Sequence, residues 1–157
     1  MSQAELDSQK LLIKAGLIYQ IAQSKKTVET TQNELDRNVA NIIIEQFSNL
    51  LNQVDDLQSV TKAKQWFRDI SEGPIERGDI NYQIYLEGKT GIKVDLFGSL
   101  IKKVTRYLKV GRINAEHQYR EVELALQLYS HQRKLEEELI ALDNLLFTFR
   151  ANRKNNL

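Results

Sequence analysis

The chain has 157 residues, of which 41% are hydrophobic and 27% charged, a balance that suits one folded domain and argues against wholesale disorder. There is no Cys, which excludes a disulfide scaffold, a thiolate zinc site and a cysteine nucleophile. The formal net charge of +1 argues against a dedicated nucleic-acid coat, yet it is unevenly distributed: residues 1–72 carry 8 basic and 10 acidic side chains, residues 73–98 carry 3 and 4, and residues 99–157 carry 11 and 7.

Met1-Ser2-Gln3-Ala4-Glu5 lacks the basic start and apolar run of a secretory signal. The longest nearly apolar stretch, 15–22, is far short of the roughly 20 residues a bilayer span needs. A cytoplasmic protein is expected, with a viral or organellar-matrix location equally compatible. Leu11, Ala15, Ile18 and Ala22, widened by Leu12, Leu17, Tyr19 and Ile21, predict a first helix buried on more than one side. The polar window 23–34 follows, read as a turn near 24–31 or else as a continuous helix with a solvated middle, with a capping box at Thr31-Gln32-Asn33-Glu34. Leu35, Val39, Ile43, Phe47, Leu50, Val54 and Leu57 then keep a three-and-four spacing like that of a coiled coil. Ser59 is a candidate cap for a short helix presenting Val60, Ala63, Phe67 and Ile70, stopped by Gly73-Pro74. In that helix Trp66 reads as a core residue.

Five of the seven glycines and the only proline fall in residues 73–98. There Tyr82–Leu86 and Ile92–Leu96 alternate in polarity around Glu87-Gly88-Lys89-Thr90-Gly91, which predicts a small β-hairpin. Gly-Lys-Thr here is no phosphate-binding loop, since position 83 is Gln and no helix is expected to follow. After Gly98 a short basic helix runs to about Lys109 and breaks at Gly111. From residue 112 or 114 to about Arg150 the breaker-free sequence predicts one long helix with the stripe Leu124, Leu128, His131, Leu135, Leu139, Leu142, Leu146 and Phe149. Glu136-Glu137-Glu138 is read as its solvated face, balanced in part by Arg133 and Lys134.

The expected fold is therefore all-α or nearly so: an elongated four- or five-helix bundle with a long C-terminal helix and a small central hairpin. It is organised as N-terminal helices (1–72), a loop or hairpin insert (73–98) and a basic helix plus long helix (99–157) within a single domain.

Two surfaces suggest function. Leu128, His131, Leu135, Leu139, Leu142, Leu146 and Phe149 form a stripe longer than a small domain covers, which favours a non-enzymatic interaction, adaptor or scaffold module that forms a homo-oligomer, most simply a dimer, or takes a helical protein partner. Lys102, Lys103, Arg106, Lys109 and Arg112 meet no acid in 99–112 and suit an anionic lipid surface, nucleic-acid phosphates or a specific protein partner; a core-packing amphipathic helix whose outer face happens to be basic is the simpler reading. Arg112-Ile113-Asn114-Ala115-Glu116-His117 resembles the R-x4-6-H motif of HEPN-type ribonucleases, which implies His117 as general acid or base and Arg112 as a stabiliser of phosphate charge. Ile113 departs from that pattern, because the family's Arg is usually followed by a polar residue. Two solvated residues at a helix start is the simpler reading. Neither histidine has the Glu three positions earlier that a di-iron bundle needs, and no metal site is expected. No cofactor or small-molecule substrate is expected either.

Overall fold

Ser2 opens the first helix by accepting a hydrogen bond from the Glu5 N–H at 3.2 Å, and 28 residues follow without a break. The computed structural model describes residues 2–132 and 134–155, and its regular structure among them is helical throughout. The chain divides into two compact units, Met1–Val94 and Asp95–Leu157, a boundary inside the segment read above as an insert.

Unit 1 is built on α1 (Gln3–Thr30), which contacts α2 (Glu34–Gln53), α3 (Val60–Glu76) and α4 (Ile80–Thr90). Three neighbours explain why α1 lacks one apolar face: Leu6, Leu12, Ile13, Leu17 and Ile21 are buried around it. The turn lies at 31–33, later than expected, because the polar window 23–30 is helical. Asn33 rather than Thr31 caps α2, its Oδ1 accepting from the Asp36 N–H at 3.1 Å. A 3₁₀ turn, Val54–Asp56, ends α2 and buries Val54 and Leu57 with Leu6, Ile13, Leu17 and Ala63. Trp66 and Phe67 are half-buried against that cluster.

The expected stop at Gly73-Pro74 does not occur; α3 runs through Pro74 to Glu76. Proline has no N–H for the carbonyl four residues back, here Ile70. The Gln20 side chain on α1 supplies the missing donor, its Nε2 lying 2.7 Å from the Ile70 carbonyl oxygen. A buried carbonyl is thereby satisfied across two helices, and the helix continues.

The β-hairpin expected at 82–96 is not formed, and no strand occurs among the described residues. Residues 80–90 are helical because Asp79 caps the start, its Oδ1 accepting from the Tyr82 N–H at 3.3 Å, and Gly91 ends it at φ +70°, a conformation that disfavours any side chain. Tyr82 and Leu86, two apart in the alternating pattern from Ile84, are also four apart from each other. Five residues do not separate the two periods.

Unit 2 comprises α5 (Gly98–Val110), α6 (Glu116–His131) and α7 (Glu136–Asn155). α5 ends at Gly111 as expected. The single long helix is replaced by an antiparallel pair, α6 and α7, turned between residues 131 and 136; Arg133 lies outside the described residues. Two forces account for the break. Folding back lets Val122, Ala125 and Tyr129 of α6 share one core with Leu142, Leu145 and Leu146 of α7 and Val104 of α5. Glu136, Glu137 and Glu138 then occupy the first turn of α7, where the helix dipole favours negative charge, while Arg153 and Lys154 sit in its last turn. No helix of the described residues is long and apolar enough to cross a membrane.

Candidate anionic-surface site

α5 is sharply two-sided. Leu100, Ile101, Val104, Tyr107 and Leu108 recur at spacings of three and four and pack against the unit 2 core, with Val104 fully buried. Lys102, Lys103, Arg106 and Lys109 occupy the opposite, exposed side, and Arg112 is exposed in the turn that follows. Together with Ser99, Ile101 and Thr105 the four helical cations line an open hollow of about 540 Å³.

One of these cations has an ionic partner. Lys103 Nζ lies 3.3 Å from Glu121 Oε2 on α6, and the Tyr107 hydroxyl donates to Glu121 Oε1 at 2.9 Å. Partial burial, and then the Glu121 carboxylate that accepts this bond, push the Tyr107 phenol above its ordinary pKa. Lys103 thus does meet an acid, one that lies outside the window 99–112. For Lys102, Arg106, Lys109 and Arg112 no carboxylate partner is found among the described residues. Lys102–Arg106, Lys103–Arg106 and Arg106–Lys109 are like-charge pairs four, three and three residues apart, each destabilising the helix by about 0.2–0.5 kcal/mol. A bound anion would relieve that repulsion.

The apolar side of α5 is consumed by the core, so the helix does not present it to an acyl layer. What remains for a ligand on this face is charge and hydroxyl groups, which suit phosphate oxygens.

The other candidates from sequence fall apart spatially. Leu142 and Leu146 are in the unit 2 core, Leu139 and Phe149 pack partly buried against it, and Leu128 is buried. His131 is exposed in the last turn of α6, and Leu135 is exposed in the α6–α7 turn. The continuous stripe therefore does not exist as a surface. Arg112 and His117 are both exposed, on either side of the buried Ile113, with no enclosure to strengthen their electrostatics. Gln118 holds this turn by accepting from the Asn114 and Ala115 N–H groups at 2.7 and 3.2 Å. Among the described residues no cluster of three His, Asp or Glu suits a metal ion.

Sequence reasoning missed the C-terminal end of α7. Phe147, Arg150, Ala151, Arg153 and Lys154 line a second open hollow of about 580 Å³. The legible signal was an acidic triplet followed some fifteen residues later by a basic cluster, the charge signature of a separate helix. No family model, no curated protein and no solved structure matches the chain.

Proposed function

We propose that the protein is a non-enzymatic helical binding module that holds a phosphate-bearing anionic partner on the outer face of α5. The observation that carries this reading is the row of exposed cations, Lys102, Arg106 and Lys109, kept at mutually repulsive spacings opposite a buried apolar face. At physiological salt the screening length of about 8 Å confines their pull to groups in near contact, so the neutral whole chain does not cancel it. The test reverses Lys102 and Lys109 to Glu, sparing Lys103 and its bond to Glu121. Retention of oligonucleotides and of phosphatidylserine vesicles should disappear while the helical circular-dichroism signal stays. For a single strand, four phosphate contacts should give a log–log salt slope near −3, at about 0.7 per contact. A reversed variant that binds as tightly as wild type sinks the reading. Cleavage of the oligonucleotide, lost on His117→Ala or Arg112→Ala, would restore the ribonuclease alternative.

A second reading, a helical protein partner or a second copy, is supported by one observation on unit 1. Leu35, Val39 and Ile42, spaced four and three apart on α2, are 69%, 48% and 53% exposed. This apolar row takes over the motive for association from the C-terminal stripe, whose leucines other than Leu135 are buried or partly buried. Sedimentation of wild type against Val39→Asp distinguishes the two: a dimer that persists in the variant, or a wild-type monomer, removes this role.

A further inference from the structure

We propose that the anionic partner of unit 2 is a single-stranded nucleic acid, and that Phe147 is a platform on which one of its bases stacks. The inference rests on the α5 reading and extends it to a second helix.

The α6–α7 reversal brings the last turns of α7 beside the first turn of α6. Arg153 pairs with Glu116, and the rings of Tyr119 and Phe149 lie 5.3 Å apart. The C-terminus of α5 enters α6 at the same end, through the turn 111–115. Cations distant in sequence, Lys109 from α5, Arg112 from the turn after it, and Arg150, Arg153 and Lys154 from α7, are thereby gathered at one end of the three-helix unit. Three glutamates stand at the opposite end, in the first turn of α7.

At that cationic end two large apolar side chains are exposed, Val110, 70% exposed at the last residue of α5, and Phe147, of which Phe147 alone carries a ring. Phe147 is 67% exposed, although its neighbours Leu145, Leu146 and Phe149 all turn toward the core. Phe147, Arg150, Ala151 and Lys154 follow one another at i, i+3, i+4 and i+7, so they share one face of α7, with cations one and two turns beyond the ring. Successive positions on such a face lie about 5–6 Å apart, close to the reach from a base to its own phosphate. Ala151 leaves the space beside the ring open. A planar apolar ring flanked by cations is the chemistry by which single strands are held, the ring taking any base and the cations its backbone.

An anionic bilayer fits less well. The next large exposed apolar residue on α7 is Ile140, which sits in the acidic half with Glu136, Glu137 and Asp143. A membrane pressing on both of these α7 residues meets those carboxylates, whereas a strand crossing only the C-terminal turns avoids them; Val110 at the end of α5 offers a membrane apolar contact but offers a base no ring to stack on.

The full chain is titrated with three probes: oligouridylate of about 12 nucleotides, within the range single-strand binders cover, inorganic polyphosphate of matched charge, and phosphatidylserine–phosphatidylcholine vesicles. The expected result is oligouridylate bound between about five- and a hundredfold more tightly than polyphosphate. Phe147→Ala and Phe147→Leu should erase that preference and leave polyphosphate binding unchanged, while Phe147→Tyr preserves it. Equal binding of the strand and polyphosphate, untouched by Phe147→Ala, overturns the stacking site and leaves the α5 reading standing. Binding of none of the three probes removes both the stacking site and the α5 reading. Vesicle binding that survives Phe147→Leu but not Phe147→Ala, with the strand ignored, overturns the inference in favour of a lipid surface.

Discussion

Replacing Gln20 by Leu isolates the bond that allows α3 to run through Pro74. Leu has nearly the volume of Gln, so little cavity is made. What is lost is the donor at 2.7 Å from the Ile70 carbonyl, on a side chain that is buried. Leaving a buried acceptor unpartnered costs about 1–3 kcal/mol. Tyr82 does not add to this, because its hydroxyl stays 2.9 Å from the Ser71 hydroxyl. The second arm of the experiment is Pro74→Ala, which restores the backbone N–H that Ile70 would otherwise receive. In that background Gln20→Leu should cost about 0.5 kcal/mol or less, since the carbonyl keeps a partner. Pro74→Ala itself loosens the unfolded chain, but that contribution cancels in the double-mutant cycle. Urea unfolding followed by Trp66 fluorescence is the assay; Trp66 is the only tryptophan and packs against the unit 1 core. If the cost of Gln20→Leu agrees in both backgrounds within about 0.5 kcal/mol, the two residues are independent and the compensation is refuted.

Gly16→Ala should destabilise the protein by about 1–3 kcal/mol despite the better helix propensity of Ala, because the new Cβ would lie 2.6 Å from the hydroxyl of the fully buried Tyr82. Thermal melts showing a more stable variant would contradict this. Partial burial, then the bond and charge of Asp79 at 3.0 Å, push the Tyr19 phenol up to about 12. Its contribution is whole below pH 10 and is lost as pH rises toward 12, where the unfolded chain ionises first. Tyr19→Phe should therefore lose less stability than wild type over that interval, read from urea midpoints; parallel curves would exclude Tyr19. Glu121→Gln should weaken unit 2 by about 1 kcal/mol yet tighten phosphate binding, because Lys103 is released; unchanged binding by anisotropy would place Lys103 outside the ligand face.

Features set within one helical turn were legible in the chain. Ser59 caps α3, its Oγ accepting from the Lys62 N–H at 3.3 Å, Gly111 ends α5, and the two-sided pattern of α5 places its cations opposite Val104. Each depends only on neighbours three or four positions away, a distance that spacing encodes directly. The candidate site was legible to the same extent: Lys102, Arg106 and Lys109 are where their spacing put them, on exposed surface.

Tertiary structure decided what each stripe faces. The apolar residues from Leu124 to Phe149 fit one long helix or two short ones equally well. The reversal between α6 and α7 wins because it buries Leu142, Leu145 and Leu146 within the unit rather than leaving them for a partner. That same reversal assembled the cationic end with Phe147. The helix at 80–90 and the passage through Pro74 were hidden for a related reason, since a short ambiguous pattern and a missing N–H are resolved by α1, which packs on α4 and lends Gln20 to Ile70. Local hydrogen bonding by itself determined where most helices start and stop. Burial against residues fifty positions away, which no local pattern records, decided which helices continue, which turn back, and which side chains are left for a ligand.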